Sequence, residues 1–321
     1  MHAAVVRSFD RPPEYAEWPE PVPAADEILV SPTAAAVQPL VRSRAAGIHY
    51  SAHVSPPFVP GVDGVGRTAD GRRVYFVFPR PPNGTLAERV AVPSARTVPL
   101  PDGLDDTVAA AAANAGMGSW VPLTRLAPIR DHASVLVNGA SGTAGRTAIQ
   151  VAKHLGAGRV VATARRPAQF PELRALGADL VLDLSQPEAE FRSAVRSAAA
   201  EERVGIVVDY LWGAPALSVL TALGGPDAPR GPDRIRFVHV GSVAGPTVLL
   251  PGELLRSSGI ELLGSGIGSS SNEDLLVGIA EFLRAIVPAG FRIDLVERPL
   301  AQVATAWNEA TDHRRLVFRI A

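Results

Sequence analysis

The sequence predicts an α/β fold with two domains, one rich in β-strands and one built on a doubly wound parallel sheet. With 321 residues, the chain is long enough for two hydrophobic cores. Over roughly the first 122 residues, prolines separate short strands, which favours a compact β-rich domain over helices. From Ser134 onward, apolar runs of four to six residues alternate with helix-length segments, as is typical of a parallel sheet covered by helices.

The individual elements follow from this pattern. In the first stretch, strands are predicted at 2–7, 27–36, 73–78 and 86–93. The parallel sheet is predicted to take strands 135–138, 159–164, 180–184, 205–209, 237–240 and 260–263, with helices at 144–155, 167–176, 188–202, 215–223 and 251–256. The tail, with helices at 272–286 and 300–311 and strands at 293–298 and 315–320, is expected to return to the first domain. The predicted domains are therefore 1–122 with 265–321, and 123–264.

Composition limits the classes of function. The formal net charge is −1, so the chain has no broad basic field for nucleic acid and no polybasic tail for a membrane surface. A small-molecule partner is favoured. No apolar stretch approaches the ~18 residues that span a bilayer, and no leader pattern follows Met1, so we expect a cytoplasmic protein. The absence of cysteine excludes disulfides, thiolate nucleophiles and cysteine-ligated zinc.

A glycine-rich loop joins the first strand of the predicted parallel sheet to its helix. Apolar residues 134–138 run into glycines at 139, 142 and 145, and a helical pattern follows at once. Such glycines allow a tight turn and bring backbone N–H groups close to a pyrophosphate, while the helix N-terminus adds partial positive charge. The loop therefore predicts a dinucleotide site rather than a plain structural turn, formed by Gly139, Ala140, Ser141, Gly142, Thr143, Ala144 and Gly145.

The end of the second sheet strand indicates which dinucleotide binds. A site for NAD usually ends this strand with Asp or Glu, which accept hydrogen bonds from the ribose hydroxyls. Here the strand ends Thr163-Ala164-Arg165-Arg166, and the two guanidinium groups fit a 2′-phosphate. The competing interpretation is a solvated pair, because the single lysine leaves 30 of the 31 Lys and Arg residues as arginine. We predict NADPH rather than NADH, with Thr163, Arg165 and Arg166 in the site.

Taken together, these features resemble the medium-chain dehydrogenase/reductase superfamily, in its zinc-free quinone oxidoreductase branch. The resemblance spans the whole chain and is carried by residues 34–47, 57–66, 116–123, 139–145, 176–179, 209, 213 and 240–242. It implies a GroES-like catalytic domain and a Rossmann domain, with the active site in the cleft between them. Residues 260–268 would form the edge strand of the Rossmann sheet, and such edges tend to find a partner, so a homodimer through this strand is expected.

The resemblance also implies cofactor contacts outside the glycine loop. The nicotinamide half would be lined by Gly241, Ser242, Gly266 and Ile267. The adenosine side would be lined by Leu211 and Trp212. Gly118 stands at a position where threonine is usual, which leaves Ser119 as the nearest hydroxyl, and both are expected at the cofactor.

Near the N-terminus, the chain departs from the family pattern. Gln38 stands where asparagine is common, so a polar amide is kept, and it is expected at the cofactor. Val41 replaces the usual acid, and Ser43 aligns with a tyrosine that some members carry. These changes leave cofactor binding intact but leave the proton donor open.

Zinc chemistry is not expected. Zinc-dependent members of the superfamily use a Cys, His and acid set, whereas this chain has no cysteine and places Val62 and Asp63 where His and Glu would stand. His49 and His53 have helical metal-binding spacing, but prolines follow and no acidic ligand is adjacent, so no metal is predicted. Ile149 stands four residues before the only lysine, which excludes the Tyr-x-x-x-Lys of short-chain dehydrogenases.

Two residues are candidates for the proton step. His49 and Tyr50 follow the turn at Gly47 and would donate a proton or a hydrogen bond to a developing enolate or quinol oxygen. The competing interpretation is a loop histidine and a packed tyrosine. Tyr75 and Asn114 are weaker candidates, expected as a core tyrosine and a helix cap.

Two functions are consistent with the sequence. The first is an NADPH-dependent reductase of quinones or α,β-unsaturated carbonyl compounds, enoyl thioesters included, in which the protein holds the acceptor against the nicotinamide. The second is an NADPH-binding sensor or partner-binding protein with little turnover, suggested by the departures at Gln38, Val41, Ser43 and Gly118. The sequence leaves both open.

Overall fold

The β-strands fall into a mainly antiparallel group and a parallel group. The computed structural model describes residues 1–52, 54–225 and 234–320. Its strands are β1 (His2–Val5), β2 (Glu14–Glu17), β3 (Glu27–Val37), β4 (Asp63–Thr68), β5 (Arg73–Val77), β6 (Val90–Pro93), β7 (Thr97–Pro99), β8 (Ser134–Asn138), β9 (Val160–Ala164), β10 (Leu180–Asp183), β11 (Val204–Asp209), β12 (Ile235–His239), β13 (Ile260–Gly264), β14 (Leu295–Pro299) and β15 (Arg315–Arg319).

The helices are distributed along the whole chain. They are α1 (Pro39–Ala45), α2 (Asp106–Val121), α3 (Thr143–His154), α4 (Phe170–Ala175), α5 (Glu188–Glu202), α6 (Gly213–Gly224), α7 (Gly252–Arg256), α8 (Asn272–Ile286) and α9 (Val303–Ala306). Short 3₁₀ turns at Ser94–Arg96, Pro167–Gln169 and Leu300–Gln302 and a π-helical turn at Pro122–Leu126 complete the set. Among the described residues, no helix is both long and apolar enough to cross a membrane.

The chain divides into two units, Met1–Asn114 with Leu276–Ala321, and Ala115–Leu275. In the first unit, the described strands form a sheet of order β14-β15-β3-β4-β5-β7, with β6 also on β3, and a separate β1-β2 pair. Strand β15 from the tail pairs with β3, which places Leu316 opposite Val37. The expected domain boundaries at residues 122 and 265 stay a prediction.

The second unit is a parallel sheet between helices. Its described strands have the order β10-β9-β8-β11-β12-β13, which is the doubly wound order in which the chain reverses direction between β8 and β11. Strands β8 and β9 are buried at every residue, which explains why they read as continuous apolar runs. The carboxyl ends of all these strands meet at one edge of the sheet. The predicted α/β fold class is confirmed.

Some helices differ from the prediction. The predicted helix at 300–311 is only the turn Leu300–Gln302 followed by the four residues of α9. Helices α1 and α2 were not predicted. Helix α1 begins with Pro39, which a first turn tolerates because its N–H would have no intrahelical partner. Asn114 is wrong as a helix cap, because it lies inside α2, which is capped at its start by Asp105 Oδ1 through the N–H groups of Thr107 and Val108.

Candidate functional site

The glycine loop at the end of β8 is closed tightly on itself. Gly139 has a φ of +89°, a conformation that favours glycine. A Cβ on Gly139 would lie 2.7 Å from Leu211 Cγ, and a Cβ on Gly145 would lie 2.4 Å from the carbonyl oxygen of Gly139. Because the obstacle at Gly145 is backbone, it cannot yield without moving the loop. The predicted glycines at 139 and 145 are therefore required by the path of the chain.

The loop also offers the donors and the space that a pyrophosphate needs. No side chain caps helix α3 at Gly142, and the first intrahelical bond runs from Arg146 N to the Gly142 carbonyl. Backbone N–H groups ahead of that bond are the donors that bind phosphate at a helix N-terminus. A Cβ on Gly142 would meet nothing within 4 Å. The residues present thus fit a dinucleotide pyrophosphate.

A buried hydrogen-bond network holds the glycine loop to the neighbouring strands. Asn138 Nδ2 donates to Asp209 Oδ1 at 2.7 Å, and Thr163 Oγ1 donates to Asn138 Oδ1 at 2.7 Å. Gly139 N donates to Thr163 Oγ1 at 3.0 Å. All three side chains are fully buried. The ends of β8, β9 and β11 are therefore fixed together directly beneath the loop.

Asp209 also fixes the turn that follows β11. Its carboxylate accepts hydrogen bonds from Leu211 N at 3.2 Å and Trp212 N at 3.0 Å. Trp212 has a φ of +53° and a ψ of −159°, a backbone region that residues other than glycine rarely adopt. Such a conformation persists only where its surroundings hold it, and the Asp209 carboxylate supplies that hold.

A histidine at the end of β12 completes this polar group. His239 Nδ1 lies 3.4 Å from Asp209 Oδ2, and His239 Nε2 lies 3.3 Å from Ser242 Oγ. The imidazole rests against the Trp212 ring, with centroids 4.3 Å apart. Our sequence reasoning named no site role for Asn138, Asp209 or His239. The available signal was that each of them is a polar residue at the last position of an apolar strand.

The structure brings Gly118, Ser119 and Gly241 to the same strand ends. The Gly118 carbonyl accepts a hydrogen bond from the Tyr210 hydroxyl at 2.9 Å. Ser119 is fully buried and donates to the Gly116 carbonyl. A Cβ on Gly241 would lie 2.9 Å from the Tyr210 carbonyl oxygen. Burial raises the pKa of Tyr210 well above its ordinary value, so its hydroxyl keeps its proton and acts as a fixed donor.

Other predicted cofactor residues of this unit are exposed. Gly266 and Ile267 are exposed in the loop after β13, where Gly266 N bonds to Ser269 Oγ at 2.7 Å. Arg165 and Arg166 are exposed immediately after β9. They follow the second strand of the parallel sheet, as the sequence predicts. Their contact with a 2′-phosphate stays a prediction.

In the first unit, Gln38 belongs to a second buried polar cluster. Gln38 Nε2 donates to Asp63 Oδ1 at 2.6 Å, and the Tyr75 hydroxyl donates to Asp63 Oδ2 at 2.7 Å. Burial raises the pKa of Asp63, and the hydrogen bonds from Tyr75 and Gln38 oppose that rise. Within the described part of the chain, Gln38 Oε1 is buried without a hydrogen-bond partner. Tyr75 is thus a buried partner of Asp63.

The predicted proton donors lie in the loop after α1. His49 and Tyr50 have ring centroids 4.2 Å apart, and the Tyr50 side chain is 69% exposed. His49 Nδ1 accepts a hydrogen bond from Ser51 N at 3.1 Å, which leaves the proton of the neutral ring on Nε2. Burial, and then the charge of Arg44, lower the pKa of His49, so the ring is neutral at pH 7. Its catalytic role stays a prediction, and His53 lies outside the described residues.

Comparison with known proteins adds the family. The family described as zinc-binding dehydrogenase matches residues 144–281. The chain is 32% identical to the probable NADPH-dependent quinone reductase tdiC of Emericella nidulans, over 99% of both proteins. It is 28% identical to the trans-enoyl reductase pgmF of Aspergillus terreus, over 75% of this chain and 69% of that protein. Among solved structures, the quinone oxidoreductase of Thermus thermophilus, also solved in complex with NADPH, is 27% identical, with a TM-score of 0.81 over all of both chains.

These matches agree with the chemistry of the residues. The chain has no cysteine to ligate zinc. Val62 is buried where a histidine ligand would stand, and Asp63 is bound by Gln38 and Tyr75. The predicted resemblance is confirmed by a relative that matches almost the full length. The chain belongs to the medium-chain dehydrogenase/reductase superfamily, in its zinc-free quinone oxidoreductase-like branch.

Proposed function

We propose that the protein is a zinc-independent, NADPH-dependent reductase that transfers hydride to a quinone or an α,β-unsaturated carbonyl compound. The observation that carries this proposal is the closed glycine loop at the edge where the doubly wound sheet reverses direction. Relatives named as quinone and trans-enoyl reductases support the two acceptor classes. A sensor with little turnover is not favoured, because those relatives are named as enzymes.

The chain's own residues would position both reactants. The N-terminus of α3 and the N–H groups of the glycine loop would hold the pyrophosphate, and Arg165 and Arg166 would pair with the 2′-phosphate. Bound NADPH supplies the hydride. The remaining cofactor contacts that we propose are Gln38, Gly118, Ser119, Thr163, Leu211, Trp212, Gly241, Ser242, Gly266 and Ile267. His49 and Tyr50 are the proposed donors to the reduced acceptor.

The two predicted domains would have different roles. Residues 1–122 with 265–321 would form the GroES-like catalytic domain, and residues 123–264 the Rossmann domain. The partner would be a small electron acceptor, and the location would be the cytoplasm, where the protein would draw on the cellular pool of NADPH.

Turnover of an acceptor panel tests the function. NADPH oxidation would be followed at 340 nm with quinones, enones and enoyl thioesters, and NADPH binding would be measured separately by calorimetry. We expect binding together with oxidation on at least one acceptor class. Binding without oxidation on any acceptor would contradict the reductase and favour the sensor.

Cofactor preference tests the two arginines after β9. Changing Arg165→Gln together with Arg166→Gln removes two exposed cations, so we expect the Kd for NADPH to rise about 10- to 100-fold. The Kd for NADH should change by no more than about twofold, since it has no 2′-phosphate. Arg174→Gln on α4, another exposed arginine of the same unit, is the control. An equal rise in the Kd for NADPH and the Kd for NADH would show that the arginines do not bind the 2′-phosphate.

A homodimer through β13 is also proposed. This strand is the edge of the parallel sheet, and its Leu262 is 37% exposed. Pairing with a second copy would satisfy the backbone groups of that edge. Light scattering during size-exclusion chromatography should give twice the chain mass, and a monomer at all concentrations would remove this proposal.

A further inference from the structure

The first unit contains a pocket that the cofactor proposal does not use. Its volume is about 180 Å³, and its walls are mostly valine, phenylalanine and proline from the segments 58–62 and 78–82. Val41 and Arg44 reach it from one face of α1, since they are three residues apart on a helix. An apolar cavity of about 150 Å³ accommodates benzene. The pocket is therefore large enough for one ring or a short acyl chain.

The charge of this pocket has one sign. Among the described residues that line it, none is acidic, and the charged ones are Arg44 and Arg96. Part of the hydrogen-bonding capacity of Arg96 is already used, because its Nη1 donates a hydrogen bond to the Phe78 carbonyl oxygen at 2.7 Å. The two guanidinium groups therefore give the pocket a net positive charge.

Arg44 has no counterion among the described residues. In the described part of the chain, its guanidinium takes part in no ion pair or hydrogen bond. Burial alone lowers the pKa of Arg44, which means that the free-energy cost of half-burying this charge is not offset by a neighbouring anion among the described residues. Arg42, two residues earlier, is by contrast placed over the Trp307 ring at 5.6 Å. A half-buried cation at an apolar pocket is suited to an anion that arrives with an apolar body.

We propose that this pocket binds the acceptor, and that the acceptor is an organic acid whose ring or acyl chain fills the apolar volume while its carboxylate pairs with Arg44. The inference rests on the proposed reductase function and specifies its substrate class. His49, whose pKa is lowered by burial and by the charge of Arg44, lies close to the same arginine. The His49 N–H donates to the carbonyl of Ser43, the residue before Arg44, at 3.3 Å, so a proposed proton donor of the same unit is held at the end of α1 that carries Arg44.

Binding of benzoate tests the pocket without any turnover. Calorimetry on the full chain with saturating NADPH would compare benzoate with its neutral isostere, benzamide. We expect benzoate to bind at least about 10-fold more tightly, because a charge-assisted pair forms with Arg44. Arg44→Gln should abolish the difference, whereas Arg42→Gln should preserve it. Equal binding of the two probes to the wild-type protein would overturn the inference. So would a preference that survives Arg44→Gln.

Steady-state kinetics would distinguish a failure of the acidic-acceptor inference from a failure of the proposed reductase function. The acceptors would be 1,4-benzoquinone and its 2-carboxylate, each with NADPH. We expect kcat/KM to favour the carboxylate in the wild-type protein and the preference to fall about 10-fold or more in Arg44→Gln, mainly through KM. Oxidation of NADPH by both quinones without a preference would refute the acidic acceptor and leave the reductase intact. No oxidation with either, alongside selective benzoate binding, would refute the proposed reaction on quinones instead.

Discussion

Replacing Asp209 by alanine is expected to destabilise the second unit by roughly 3–5 kcal/mol and to weaken NADPH binding by about 10-fold or more. The carboxylate is fully buried and accepts from Asn138 Nδ2, Leu211 N and Trp212 N. Its removal leaves these donors without an acceptor and releases the backbone of Trp212 from its positive φ. Leu211, which packs against Gly139, would move with that turn. The cofactor loop would therefore lose its support.

Thermal melts and cofactor titration measure both effects. For a unit of this size, the expected loss corresponds to a fall in Tm of roughly 6–20 °C. Asp183→Ala is the matched control, because Asp183 also ends a strand of the parallel sheet, yet among the described residues its carboxylate accepts hydrogen bonds from Ser185 alone. Its Tm and its Kd for NADPH should stay close to those of the wild-type protein. An Asp209→Ala protein that melts and binds like this control would show that the network does not support the loop.

The Asp209 network also shows where sequence reasoning stops. The glycine loop could be predicted because its glycines are close together in sequence and each has a known physical purpose. Asp209 and Asn138 are 71 positions apart and meet only because β11 lies next to β8. That neighbourhood depends on the order of the strands, which periodicity alone does not provide. Polar residues that end apolar strands were visible, but their partners were not.

The same contrast holds for the fold. Strands of the parallel sheet were predicted within a few residues, because burial on both faces makes them continuous apolar runs. Helix α2 was missed because it is buried along much of its length, so its alanine run shows no polar stripe. The pocket beside Arg44 was beyond prediction, since it is formed mostly by loops and by one face of α1, whose arrangement depends on tertiary contacts.

Replacing Asp63 by alanine is expected to cost the first unit roughly 3–5 kcal/mol, the second large effect. Gln38 Nε2 and the Tyr75 hydroxyl would remain buried without their acceptor. The loss would extend to Arg315, because burial lowers the pKa of this arginine to about 10 and the Asp63 charge opposes that shift. Urea unfolding followed by circular dichroism measures the cost. Tyr75→Phe, which removes a single hydrogen bond, should cost only about 1–2 kcal/mol.

The pH dependence of the free energy of unfolding tests how burial affects the protonation of Asp63. Burial raises its pKa in the folded protein above the ordinary value of 3.8, with Tyr75, Gln38 and Arg315 opposing the rise. The unfolded chain therefore loses this proton first, and the contribution of Asp63 to stability falls as the pH rises from 3.8 to the folded pKa and is constant above it. Asp63→Asn cannot titrate, so the wild-type free energy of unfolding minus that of Asp63→Asn should decline through this window. A difference that is flat or rises with pH would mean that the hydrogen bonds, rather than burial, dominate the carboxylate, and that Asp63 is held as a stable anion.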